Sequence, residues 1–307
     1  MEAVLEPDLP ICDAHHHLWD RGPSDRYLPD DALRDAASGH NVVARVFIDS
    51  DHMYRSDGPP EMRSVGETAY VEGLGIASAI VGRVDLTLER SVDRMLEAHL
   101  AASPRRFRGL RHWLNNDPHA EAAGIKSGAP PGLAYDPHFR AGFARLERYG
   151  LVFDAWLYFS QLEELADLAH AFPGVGIVLN HAGGLLACGP YADRTKYFDV
   201  WKDAMSDLAQ CPNVSVKLGG MGSPRAGFGF RDASSEALAA AWGPYFLHCI
   251  DRFGPQRCMF ESNFPPDRGS ASYVVMWNAF KRVAAGFSKD EKAALFHDTA
   301  ARVYRFA

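Results

Sequence analysis

Eight short, mostly β-branched runs alternate along the chain with longer stretches of helical period, the pattern of a parallel sheet wrapped by helices. The runs are Ile11–His15, Val42–Ile48, Ala77–Val84, Phe107–His112, Leu151–Leu157, Val175–Asn180, Val214–Leu218 and Cys258–Glu261. Helical segments include Val92–Ala101, Ala141–Tyr149, Leu162–Ala171, Val200–Gln210, Glu236–Phe253 and Lys289–Tyr304. Two of them open on capping boxes, Ser160-Gln-Leu-Glu163 and Ser288-Lys-Asp-Glu291. Eight β/α units in 307 residues predict an α/β fold of the (β/α)8 (TIM) barrel type. Such a barrel takes roughly 250 residues and builds its site from the loops at the C-terminal ends of its strands. A doubly wound sheet fits less well, because no Gly-x-Gly-x-x-Gly follows the first run and polar residues stand at the ends of many runs. No repeat or linker divides the sequence, so residues 1–307 read as a single domain. The extended irregular pieces Asp49–Glu67, Leu114–Pro137 and Gly219–Ser235 are assigned to the mouth of the barrel.

Composition narrows the class. A formal net charge of -7 argues against a nucleic-acid footprint or an anionic membrane surface, so an anionic ligand would need a local basic pocket. No apolar run reaches the ~18 residues of a spanning helix, and the first residues lack the pattern of a secretory signal. The five cysteines are scattered and odd in number, with no Cys-x-x-Cys pair, which predicts buried thiols in a reducing cytoplasm. A homo-oligomer is compatible with all of this.

The chemistry concentrates at the run ends. In Asp13-Ala-His15-His16-His17-Leu-Trp19, strand alternation sends His15 and His17 to one side and His16 to the other. Paired imidazoles there suit a divalent metal or a polarised carbonyl. His181 follows the sixth run directly and precedes a Gly pair, a place where a hydrogen-bonded core histidine is as good a reading as a ligand. In Glu261-Ser-Asn263-Phe-Pro265-Pro-Asp267, alternation puts Glu261 and Asn263 on one face, while Asp267 reads as a loop cap. Arg111, His112 and Lys217 place cationic groups at run ends, able to hold a carboxylate or to form ordinary rim salt bridges. Tyr54 and Arg55 offer oxyanion contacts from the second loop, and Trp19, Trp113 and Trp156 could wall an apolar pocket.

Taken together, His15-x-His17, Phe107-Arg-Gly-Leu-Arg111-His112, Leu179-Asn-His181-Ala-Gly, Glu261-Ser-Asn263-Phe-Pro265 and Asp298-Thr-Ala-Ala-Arg302-Val-Tyr304 resemble the amidohydrolase-2 branch of the amidohydrolase superfamily. That resemblance implies a (β/α)8 barrel, and relatives that include lactonases of pyrone dicarboxylate and of sugar acids. It also implies that His15, His17 and His181 surround an attacking water, with one divalent ion (zinc or manganese) or with none. Two departures stand out. No His follows the fifth run, where Phe159 is nearest the expected place, and Asn263 occupies the position of the usual Asp. An amide is a very poor base, so Glu261 becomes the first substitute. The expected function is the opening of a lactone of a small carboxylic acid, with Arg111 or Lys217 holding a substrate carboxylate and Tyr54 and Tyr158 shaping the pocket. Its rivals are a non-oxidative decarboxylase of an aromatic or unsaturated acid, and a barrel that binds a small acid without catalysis.

Overall fold

The computed structural model describes residues 2–125 and 127–306, so residue 126 of the loop 114–137 and the two end positions of the expected 1–307 unit lie outside it. Eight strands pair in parallel, each with its neighbour in sequence: β1 (Ile11–His16), β2 (Val42–Ile48), β3 (Ala79–Arg83), β4 (Phe107–Trp113), β5 (Val152–Trp156), β6 (Ile177–Leu179), β7 (Val214–Leu218) and β8 (Cys258–Phe260). The ring closes where the end of β8 meets β1. The Asn263 N–H donates to the His15 carbonyl (3.0 Å), and the His17 N–H to that of Phe264 (2.9 Å). The predicted barrel is therefore the observed one, with strand ends displaced by no more than two residues.

Helices between the strands bury their apolar stripes against the outer face of the sheet, where Phe107, Phe153, Phe246, Phe280 and Trp277 are fully covered. Inside the barrel a second cluster of small and β-branched side chains, among them Cys12, Ala14, Val46, Val81, Val152 and Val178, packs onto Tyr304 from the last helix (Thr299–Tyr304). Four expectations change in detail. The segment Ala141–Tyr149 divides into helices Pro137–Phe143 and Arg145–Tyr149, and Lys289–Tyr304 is interrupted by a π turn over Ala294–Asp298. The expected loops carry short helical pieces at Pro60–Met62, Pro118–Ala122, Leu133–Tyr135 and Pro224–Ala226. The Ser288 capping box forms, but the Ser160 hydroxyl donates instead to Asp117 Oδ2 (2.8 Å), and the helix begins at Leu162 after a 3-10 turn. Asp117 caps the helix Pro118–Ala122 and so competes for that hydroxyl.

The middle of the barrel is charged. Lys217 of β7 is completely buried and donates to Asp154 Oδ1 of β5 at 2.6 Å. Asp154 also accepts from Asn180 Nδ2 (2.9 Å) and from the Tyr304 hydroxyl (2.9 Å to Oδ2). Removing one member of a buried ion pair strands the other, so Asp154→Ala is expected to lower stability by about 3–5 kcal/mol. Tyr304→Phe, which removes one neutral donor, should cost about 1–2 kcal/mol. Urea unfolding midpoints of the two variants would check the ranking.

Candidate active site

Strand alternation continues past the charged layer to the mouth. The register of β1 against β2 shifts between Asp13 and His16, and this irregularity changes which residues face inward. Cys12 and Ala14 pack in the inner cluster, Asp13 turns outward to Ser262 (2.8 Å from its N–H, 2.6 Å from its hydroxyl) and to the Tyr273 hydroxyl (3.0 Å), and His15 faces in again. His15 and His17 then share the inner side, with their Nε2 atoms 3.1 Å apart. His16 lies edge-on to Phe47.

Each functional imidazole is oriented through Nδ1. That of His17 donates to the Ile48 carbonyl at 2.8 Å, and its ring stacks on Trp19. That of His181 lies 2.6 Å from Glu261 Oε1, which also accepts the His181 main-chain N–H at 3.2 Å. That of His15 has Glu261 Oε2 at 3.0 Å and Lys217 Nζ at 3.3 Å. The His15 and His181 rings are 4.6 Å apart, so the pairing that the sequence left open is present. His181 reaches this position by an unusual backbone: residues 181–184 all have positive φ, and Gly220, at φ +69°, passes directly beneath the ring. Burial, with help from Lys217, Arg111 and Arg225, pushes all three imidazoles well below 6.5 and keeps them neutral. The same desolvation raises the Glu261 carboxyl to about 8, against the pull of Lys217.

Neutral imidazoles and a carboxylate are the donor types of a zinc or manganese site. His15, His181 and Glu261 each bring one ligand atom within 4.8 Å of the others, with His17 against His15. Above them opens a pocket of about 400 Å³, lined by His17, His181, Arg111, Trp113, Asn115, Trp156, Tyr158, Arg225 and Asn263 among others. Arg111 donates from Nη2 to the Asp49 carbonyl, and its buried Nε has no protein partner. Arg225 is pinned by the carbonyls of Leu185 (2.9 Å) and Gly220 (3.0 Å) and lies over the Trp156 ring. Among the described residues neither guanidinium forms an ion pair with a carboxylate.

Other expected site residues stand elsewhere. Lys217 lies beneath the histidines, spent on Asp154. His112 follows Arg111 and so points outward, edge-on to Phe139, with its Nδ1 accepting the Leu86 N–H. Tyr54 donates to Asp49 Oδ1 at 2.5 Å and Arg55 bonds through its main chain to Arg63, neither at the pocket wall. Trp19 backs His17, and Phe159 packs on Tyr191. Glu261 does share the inner side with Asn263, but behind the imidazoles. Asp267 does cap a loop, accepting the Gly222 N–H, but it is 1% exposed and also bonded to Asn263, which ties it to the site. Arg225 was missed altogether, because it comes from the irregular stretch after β7 where no periodicity marks a facing.

The family model described as Amidohydrolase matches residues 12–306. An uncharacterised protein of Sinorhizobium fredii, y4mH, is 34% identical over 317 residues, covering 97% of this chain and 99% of that protein. The L-fucono-1,5-lactonase of Burkholderia multivorans is 27% identical over 311 residues, covering 95% of each. Among solved structures, an amidohydrolase from Burkholderia multivorans with bound zinc superposes with a TM-score of 0.74 at 25% identity, covering 97% of this chain and 99% of that one.

A Cβ on Gly220 would sit 2.4 Å from the His181 Cβ and Cγ, at a φ that side chains resist. Gly220→Ala should therefore cost about 2–4 kcal/mol and displace the His181 ring. Chemical denaturation, together with the His181 imidazole resonances of the variant, would check it.

Proposed function

Because the chain belongs to the amidohydrolase family, matched over residues 12–306, we propose that this enzyme hydrolyses a lactone of a small carboxylic acid, opening the ring by attack of a water held at His15, His17 and His181. The observation that carries the reading is a pair of guanidiniums, the buried Arg111 and the half-buried Arg225, held by main-chain carbonyls and by no carboxylate beside those histidines. Two cations with no carboxylate partner, one of them fully buried, call for an anion, and the substrate's carboxylate supplies it by charge-assisted, bidentate bonding. Relatives named as lactonases lie at modest identity and support the reaction class.

Trp113, Trp156 and Tyr158 give the ring flat apolar walls. Tyr158 stands two positions after β5 and accepts from Asn115 Nδ2 at 3.2 Å. With no ion bound, the proton of the attacking water passes to His181, whose ring is oriented by the 2.6 Å contact of its Nδ1 with Glu261. A divalent ion, zinc or manganese, would be held by His15, His181 and Glu261 with His17 adjoining, and would supply an acidified water and a polarised carbonyl. The binding of the carboxylate falls to Arg111 and Arg225.

Two outcomes are expected. Arg225→Met should raise KM for a carboxylated lactone by about 10–100-fold with kcat within about threefold, because the contact is the same in ground and transition states. Acid release in a pH-stat, with a neutral sugar lactone as comparison, reads this; an unchanged KM would remove Arg225 from the site, and inert lactones of both kinds would sink the reading. Protein purified without chelator or added metal should carry about one equivalent of zinc or manganese, lost in His15→Ala. Elemental analysis decides, and a metal-free wild type would leave carbonyl polarisation to the imidazoles.

A further inference from the structure

Asn263 lines the pocket at the end of β8, and what sets its orientation lies behind it. Asp267 is buried, one turn further along the chain. Its Oδ1 accepts from Asn263 Nδ2 at 2.9 Å and its Oδ2 from the Gly222 N–H at 3.0 Å, while its own N–H donates to the Asn263 carbonyl at 3.1 Å. An ionised carboxylate only accepts, so the amide must turn Nδ2 toward Asp267 and Oδ1 away from it. That Oδ1 is buried and has no protein partner. The backbone is committed to the arrangement. Asn263 adopts φ +51°, a conformation that Asn tolerates better than most residues, and a Cβ on Gly222 would lie 2.9 Å from Asp267 Cβ.

We propose that Asp267 is a positioning carboxylate which, acting through Asn263, gives the pocket wall beside His17 and His181 a fixed hydrogen-bond acceptor for the O–H of the attacking water. Asn263 holds the water without taking its proton, and this deepens the hydrolytic reading above and rests on it. The arrangement carries its own pH dependence. A protonated Asp267 has a hydroxyl to donate, so the amide turns Oδ1 back to it and shows Nδ2 to the pocket, reversing the polarity of the wall. Burial raises the Asp267 carboxyl to about 7; Glu261 at the end of β8 adds to the rise, and Arg225, the Gly222 N–H and Asn263 oppose it. The acceptor is therefore present above about pH 7 and lost as the pH falls through that value.

The test is the side-chain amide of Asn263 in ¹⁵N-labelled protein, identified by its disappearance in Asn263→Asp. It should be followed over roughly 1.5 units either side of the Asp267 transition. The wild-type resonance should show a transition near pH 7 that the Asp267→Asn resonance lacks, while any shift near 8 from the neighbouring Glu261 is common to both; a wild-type amide with no transition near 7 overturns the proposal. In lactone hydrolysis, Asp267→Asn should lower kcat at least about tenfold with KM within about twofold, and should remove the acid limb. The exchange Asn263→Asp with Asp267→Asn, which returns a carboxylate to the wall with an amide donor behind it, should recover most of kcat. A kcat unchanged in Asp267→Asn overturns the proposal. If the wild type opens no lactone, the hydrolytic reading fails by itself, and the amide titration, which needs no substrate, still decides the positioning.

Discussion

Burying the Lys217 ammonium inside the barrel sets the order of everything above it. An isolated ammonium at zero exposure is untenable, so Asp154 must meet it at 2.6 Å, and Asn180 and Tyr304 must hold Asp154 in place. This ties β5, β6, β7 and the C-terminal helix to one point. The next layer rests on it: His15 Nδ1 lies 3.3 Å from that ammonium and 3.0 Å from Glu261. A donor and an acceptor both stand at one ring nitrogen. The hydrogen bond at that nitrogen is the one from Lys217, so the ring's proton sits on Nε2 and faces His17, with Glu261 Oε2 alongside.

Above the imidazoles the charge balance is reversed. The carboxylates are placed behind the wall, on histidines, on Asn263 or on Lys217, while the guanidiniums of Arg111 and Arg225 reach the pocket. The chain as a whole is acidic, at -7, so the basic character of the pocket is local and built by depth. Desolvation makes the two cations stronger partners for an incoming anion than surface arginines would be.

The barrel was legible because its strands are buried on both faces and read as continuous apolar runs, and two of the eight, Val42–Ile48 and Val214–Leu218, end where expected. The pairing of His15 with His17 followed from a period of two. The same period also argues that His112 points away from the side on which Arg111 lies, and that Lys217 shares the inner face with Asp154 below the mouth; depth along the strand, which separates a pocket lysine from a core one, has no signature in sequence. Long-range partners were equally hidden. Nothing local distinguishes Ser160 as a cap from Ser160 as a donor to Asp117, forty-three residues away. Arg225 and Asp267 sit on irregular backbone, where facing is decided by tertiary contacts that no periodicity encodes.

Asn263 ties these strands of argument together. A carboxylate at that position would stand in the same pocket wall as Arg111 and Arg225, and a buried carboxylate near two under-partnered guanidiniums would neutralise them in competition with a ligand anion. The amide keeps an acceptor for water at the same point and adds no charge. The carboxylates needed to orient that acceptor and the histidines, Asp267 and Glu261, are withdrawn one layer behind the wall, where burial raises both and mutes their pull on the cations. A pocket that must bind an anion and polarise a carbonyl in the same small volume gains from that separation, because the positive potential is left for the substrate.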